Sequence, residues 1–226
     1  MIINKLRHGI IVSCQAIKGN PLYGTGTMPL MALCAEKGGA AGIRANGPDD
    51  IAAIRKICSI PVIGIYKTKP SEDQIYITPS FKHAEAIARA GCDIIALDAT
   101  MRKRPGGLST AEFVAQIHKE IRLPVMGDVS TFEEGVQAAK AGCDIVATTL
   151  AGYTSSSVRT KGPDFELLKT LCSKLDCPVV AEGRFWYPEE VNKALKLGAW
   201  AVVIGKAVTN PMMITRHFVS TIISGD

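Results

Sequence analysis

A lysine, two arginines, three carboxylates and a glutamine each stand where a short apolar run of this 226-residue chain turns polar. They are Lys67 after VIGIY, Arg44 within AAGIRANG, Arg184 in AEGR, Asp98 after IIAL, Asp128 after VMG, Glu182 after VVA and Gln15 after IVSC. Thr148 with Thr149, and Gly205 with Lys206, close two further runs. Brought into one pocket, such groups could move protons. A lysine in a low-dielectric mouth near other cations has its pKa pushed down, which makes it a usable base or amine nucleophile near neutral pH. Glu182 could carry a proton or accept hydrogen bonds from sugar hydroxyls, and an ion pair with Arg44 or Arg184 is compatible with both roles. Taken singly, Lys67 could as well begin a surface loop. The set says more, because burying so many ionisable groups is costly without partners or a ligand. Gly183 and Gly205 could let backbone N–H groups approach an anion such as a phosphate.

The elements that must position these residues follow a repeated plan. KGGAAGIRA (37–45), AGCDIIALD (90–98), AGCDIVATT (141–149) and LGAWAVVIG (197–205) each read as a helix end, a glycine and an apolar strand. Glycine suits a helix stop because it tolerates the left-handed conformation. IPVIGIYK (60–67), LPVMGDVS (123–130) and CPVVAEGR (177–184) open on proline, allowed at the first residue of a strand. Fully apolar runs of this length suit parallel strands buried on both faces. With GIIVSCQ (9–15) the count predicts eight strands. Helical segments separate them: 47–58 with Ile51, Ile54 and Cys58 on one face, a segment after Ser130 with a Ser130–Glu133 capping box, and YPEEVNKALKLG with Pro188 in its first turn. The expected fold is α/β, a single (β/α)8 TIM barrel over residues 1–226, whose active site lies at the C-terminal ends of the strands. An open doubly wound sheet is the second choice, since no Gly-rich dinucleotide fingerprint follows the first strand. The loops after strands seven and eight, holding Gly183, Gly205 and Lys206, are the expected phosphate site of such a barrel.

Composition narrows the function classes. The net charge of +5 is mild and suits an anionic small molecule without pointing to nucleic acid. The basic stretch MRKRPGG (101–107) lacks interleaved aromatics and reads as a loop clamping an anionic substrate. Seven cysteines without a Cys-x-x-Cys pair read as buried free thiols of a reducing cytoplasm. Arg7 and His8 interrupt the N-terminal apolar residues, so neither a signal peptide nor a membrane span is expected. The four histidines fall away from the strand tips, so no metal site is expected.

The motifs IVSCQ, AAGIRANG, PVIGIYK, YITPS, IALDATMRKRP, TTLAGYT, DFELL and AEGR, spread over nearly the whole chain, resemble those of the N-acylmannosamine-6-phosphate 2-epimerase family of sialic-acid catabolism. The resemblance implies a barrel that needs no metal or organic cofactor and converts N-acetylmannosamine 6-phosphate to N-acetylglucosamine 6-phosphate. It implies Lys67 and Glu182 as catalytic residues and Gln15, Arg44 and Asp128 as substrate contacts. Asp98, Thr148 and Arg184 join these as strand-tip candidates. The expected partner is a phosphorylated amino sugar, with no nucleic acid, no membrane, and a homodimer allowed. The chain departs from the family after strand eight: a Gly-Gly pair followed by Thr-Arg is usual, and here stand Gly205-Lys206 and Thr209-Asn210. A Schiff-base aldolase using Lys67, or a non-catalytic sugar-phosphate-binding barrel, are the rival readings.

Overall fold

The computed structural model describes residues 1–24, 26–69 and 74–222; the last four residues of the expected domain lie outside them. After a 3-10 turn (Ile2–Leu6), strands and helices alternate: β1 (Ile10–Cys14), α1 (Met28–Lys37), β2 (Gly42–Asn46), α2 (Pro48–Arg55), β3 (Val62–Ile65), α3 (Phe81–Arg89), β4 (Ile94–Asp98) and α4 (Thr110–Glu120). Then come β5 (Val125–Asp128), α5 (Phe132–Lys140), β6 (Ile145–Ala147), α6 (Phe165–Lys174), β7 (Val179–Glu182), α7 (Pro188–Lys196), β8 (Ala201–Ile204), α8 (Lys206–Thr209) and α9 (Pro211–Ile222). The strands pair in chain order, all parallel, and β8 returns to β1 to close the barrel. The expected (β/α)8 barrel is therefore the observed one.

The apolar strands have two buried faces, as their composition requires. Ile11, Ile63, Ile94, Met126, Ile145 and Val180 fill the barrel interior, joined by Leu6 from the 3-10 turn and by Ile77 and Leu150 from loops. Ile43, Val62, Ile95, Val125, Val146 and Val202 face the helices instead. Each buried apolar side chain of this size contributes about 1.5–3 kcal/mol relative to exposure. Gly91, Gly142 and Gly198 follow α3, α5 and α7 with φ of +98°, +90° and +101°, the left-handed stop that admits each next strand. The prolines work differently. Pro61, Pro124 and Pro178 offer only carbonyls, which accept from Ile43, Ile95 and Val146 of the neighbouring strands. A missing N–H costs nothing there.

Two local expectations change. The capping box of α5 is Thr131 with Glu134, not Ser130 with Glu133. Ser130 is one residue too early, and its N–H and hydroxyl instead donate to the same Glu134 carboxylate at 2.7 Å each. Helix α2 ends at Arg55, and Cys58 reaches the core from the turn that follows. Gly64 of β3 has no room for a side chain: an added Cβ would lie 2.7 Å from Cys92 Cβ. All seven cysteines are free, and Cys34 is exposed rather than buried. Among the described residues no helix is long and apolar enough to cross a membrane.

Candidate active site

Lys67 stands one residue beyond β3, after Tyr66, and is held on both flanks. Its N–H donates to Asn46 Oδ1 at 2.8 Å, and its backbone bridges Ile77 in antiparallel fashion. Lys67 Nζ donates to Gln15 Oε1 at 2.7 Å, and Gln15 Nε2 donates to Ser13 Oγ at 2.8 Å. Gln15 thus fixes the amine from the tip of β1. Burial lowers the Lys67 pKa, nearby Arg44 lowers it further, and Glu182 and Asp128 only partly oppose this.

Arg44 is not at a strand tip. It is the third residue of β2, in register with Ser13 and Ile63, and only 1% exposed; Asn46 is the tip. Its guanidinium spans the barrel to β5, where Nη1 donates to Asp128 Oδ1 at 3.1 Å and Nη2 to Oδ2 at 2.5 Å. Nη1 also lies 3.2 Å from Glu182 Oε2 at the tip of β7. The planar fork matches one carboxylate and still reaches a second. Burial works against the Arg44 charge, but Asp128 and Glu182 outweigh it and hold the guanidinium above its ordinary pKa. Burial raises the Glu182 pKa, and Arg44 opposes the rise.

The two threonines that close β6 divide the work. Thr148 Oγ1 donates to the Glu182 carbonyl at 3.0 Å and accepts from the Glu182 N–H at 3.0 Å, so it zips the backbone of β7. Thr149 faces the side chains: its Oγ1 is 2.7 Å from Asp128 Oδ1 and 3.0 Å from Glu182 Oε2. A cavity of about 400 Å³ at this end of the barrel is lined by Gln15, Lys67, Thr149, Glu182, Gly183, Gly205 and Lys206, with Tyr76, Trp186 and Asn210 also in its wall. Lys206 is exposed and opens α8. Asn210, where the resembling family has arginine, accepts from the Met213 N–H at 3.1 Å and so caps α9.

Three of the expected groups are turned to other tasks. Asp98 is fully buried and accepts from Thr100 Oγ1 at 2.7 Å and from Arg102 Nη2 at 2.6 Å. Burial raises its pKa, against those two partners. Arg184 reaches the cavity wall, yet its guanidinium donates to the carbonyls of Gly162 and Ala151 and to Thr160 Oγ1, clamping the loop after β6. The MRKRPGG loop is drawn inward rather than over the mouth: Arg102 joins Asp98, and Arg104 donates to the Asp98 carbonyl and stacks 4.4 Å over Phe113. The residues missed by sequence reasoning are Asn46, Ser13 and Tyr76. Sequence reasoning pairs Thr149 with Thr148 at the close of a strand run but takes only Thr148 as a site candidate; it is Thr149 that faces the carboxylates.

Residues 28–224 match the family model described as "Putative N-acetylmannosamine-6-phosphate epimerase". Two curated proteins named "Putative N-acetylmannosamine-6-phosphate 2-epimerase" are similar along almost their whole length. That of Caldanaerobacter subterraneus subsp. tengcongensis is 50% identical over 222 residues, covering 98% of this chain and 94% of that one. That of Clostridium perfringens strain SM101 is 46% identical over 217 residues, covering 96% and 98%. The solved N-acetylmannosamine-6-phosphate 2-epimerase of Clostridium perfringens superposes with a TM-score of 0.94 at 43% identity, over 98% of this chain and 96% of that one. Thiamine phosphate pyrophosphorylase of Pyrococcus furiosus shares the fold alone, with a TM-score of 0.63 at 16% identity.

Proposed function

The chain belongs to the N-acetylmannosamine-6-phosphate epimerase family, and from that premise we propose that it converts N-acetylmannosamine 6-phosphate to N-acetylglucosamine 6-phosphate by inverting C2, as one catalytic domain without metal or organic cofactor. The observation that carries the reading is the placing of Lys67 and Glu182 in one cavity wall, with the amine lowered and the acid raised in pKa. In the open-chain sugar the C1 aldehyde acidifies the C2 proton. Lys67, as free amine, takes that proton. The C–H pair becomes a C1–C2 double bond and the carbonyl pair moves to O1. A proton delivered from water on the opposite face then bonds C2, the O1 pair re-forms the carbonyl, and protonated Lys67 releases its proton to solvent, which restores the aldehyde in the other configuration and the free amine. Glu182 serves hydroxyl and ring-opening proton transfers. Gln15 orients Lys67, and Arg44 with Asp128 fixes Glu182 and Thr149 from behind the cavity wall. Donors preorganised toward O1 would stabilise the enolate.

Gly183, Gly205 and Lys206 are assigned to the phosphate, because all three share that cavity wall beside the first turn of α9. A reducing, cytoplasmic setting fits seven free thiols. A homodimer is proposed on α9, which buries no residue and exposes Phe218 and Ile222; sedimentation of the wild-type protein tests it. For the reaction, proton NMR of N-acetylmannosamine 6-phosphate with enzyme in heavy water should show deuterium entering C2 as the second epimer forms. Lys67→Met should lose both. Exchange at near wild-type rate in Lys67→Met would remove Lys67 from the proton-carrying role, and no exchange with wild-type enzyme would end the epimerase reading.

A further inference from the structure

Thr149 stands between two carboxylates with one hydrogen to give. Its Oγ1 lies within hydrogen-bond distance of both Asp128 Oδ1 (2.7 Å) and Glu182 Oε2 (3.0 Å). A hydroxyl has a single donor and two acceptor lone pairs. Were both acids ionised, one of these contacts would press a hydroxyl lone pair against a carboxylate oxygen, in a site where Asp128 is fully buried and Glu182 is 15% exposed. Asp128 has the stronger claim on the hydrogen. Its contact is the shorter, and both its oxygens already accept from Arg44, an arrangement suited to a carboxylate. Thr149 is then left as an acceptor toward Glu182, and an acceptor there calls for a proton on Glu182 Oε2.

The charged groups around Glu182 allow that proton. Arg44 from β2 favours the carboxylate, but its Nη1 is shared with Asp128 Oδ1 and with Met126 Sδ at 3.6 Å. Asp128 from β5 favours the acid. Lys67 after β3 favours the carboxylate only while it is itself charged, and Lys206 on α8 acts on Lys67 against that charge. An ammonium–carboxylate pair and an amine–acid pair carry the same net charge and differ by the place of one proton.

We propose that Thr149 is a positioning residue that holds Glu182 in its acid form, so that Lys67 as free amine and Glu182 as acid are the resting pair of the cavity. The proposal uses the epimerase reading only for its purpose: a free amine can take the C2 proton, and an acid can protonate a sugar oxygen. Burial moves both groups in the direction the neutral pair requires; a hydrogen given by Thr149 to Glu182 would lower the acid instead, and it is that donation which the shorter contact with Asp128 takes away.

The test is a carbon-13 NMR titration of enzyme labelled at glutamate carboxyls, with the Glu182 signal assigned by its absence in Glu182→Gln. Wild type should titrate above the ordinary glutamate range. Thr149→Val should lower the midpoint by about one pH unit, a tenfold loss of acid form. Thr149→Ser should match wild type, because it restores the hydroxyl. Should valine not fit, Thr149→Ala makes the same deletion. An upward shift on deletion would mean that Thr149 donates to Glu182 and would overturn the proposal, as would no shift. The titration needs no substrate. An inactive wild-type enzyme would therefore sink the epimerase reading while leaving the titration to judge Thr149.

Discussion

Replacing Arg44 with methionine should cost the fold about 3–5 kcal/mol, the usual penalty for removing one partner of a buried ion pair. The magnitude follows from what is stranded. Arg44 and Asp128 are 1% and 0% exposed, and without the guanidinium the Asp128 carboxylate keeps, among the described residues, only the Thr149 hydroxyl as a side-chain partner. Methionine fills much of the vacated length, so cavity formation adds little. At about 2–4 °C per kcal/mol for a domain of this size, Tm should fall by roughly 6–20 °C. Asp128→Leu should cost less, because the arginine left behind keeps Glu182 Oε2 at 3.2 Å. The double variant Arg44→Met with Asp128→Leu should recover about 2 kcal/mol or more against the sum of the two, since an apolar replacement of the whole pair is often neutral. Urea and thermal unfolding of wild type and the three variants, followed by circular dichroism, close the cycle. If the double variant equals the sum within about 0.5 kcal/mol, the two groups are not coupled and the reasoning is wrong.

Lys67 should act as free amine with its pKa below the ordinary 10.5. Activity should therefore be present above that lowered value and disappear as pH falls through it; a kcat profile whose acid limb sits at the ordinary lysine value would refute this. Lys206→Gly should raise KM for the phosphorylated sugar about tenfold, as expected for loss of a charge-assisted contact, and barely touch the unphosphorylated sugar. Adding Asn210→Arg should bring affinity back while weakening α9 by about 1 kcal/mol, because the Met213 cap is lost. Among the described residues no group of three His, Cys, Asp or Glu stands where it could hold a metal ion. Activity should survive dialysis against EDTA, and loss reversed by one added divalent metal would contradict that.

Most of the barrel was legible because its period is written in backbone chemistry. Gly91, Gly142 and Gly198 mark helix stops, and Pro61, Pro124 and Pro178 mark strand starts, whatever the rest of the chain does. The site was legible only as a set of positions. Arg44 reads as a strand end in sequence because it is polar, yet β2 runs on to Asn46 and carries the guanidinium into the interior. Whether Thr148 or Thr149 turns to the cavity depends on strand register, which composition does not encode. Asp98 and Arg184 look as chemical as Glu182. Only three-dimensional neighbours show that Arg102 occupies the first and that loop carbonyls and Thr160 occupy the second.

The burial of the Arg44–Asp128 pair has a consequence for ionic strength. Mobile salt screens exposed charges over about 8–10 Å but reaches enclosed pairs far less. The site is therefore divided by depth. Lys206, in the open, should lose its pull on an incoming phosphate, and its smaller influence on Lys67, as salt is added, while the buried Arg44–Asp128 pair behind Glu182 is sealed from the same ions. Capture would answer to the medium, and the proton chemistry would keep its own internal counterions, so added salt should raise KM and leave kcat nearly flat.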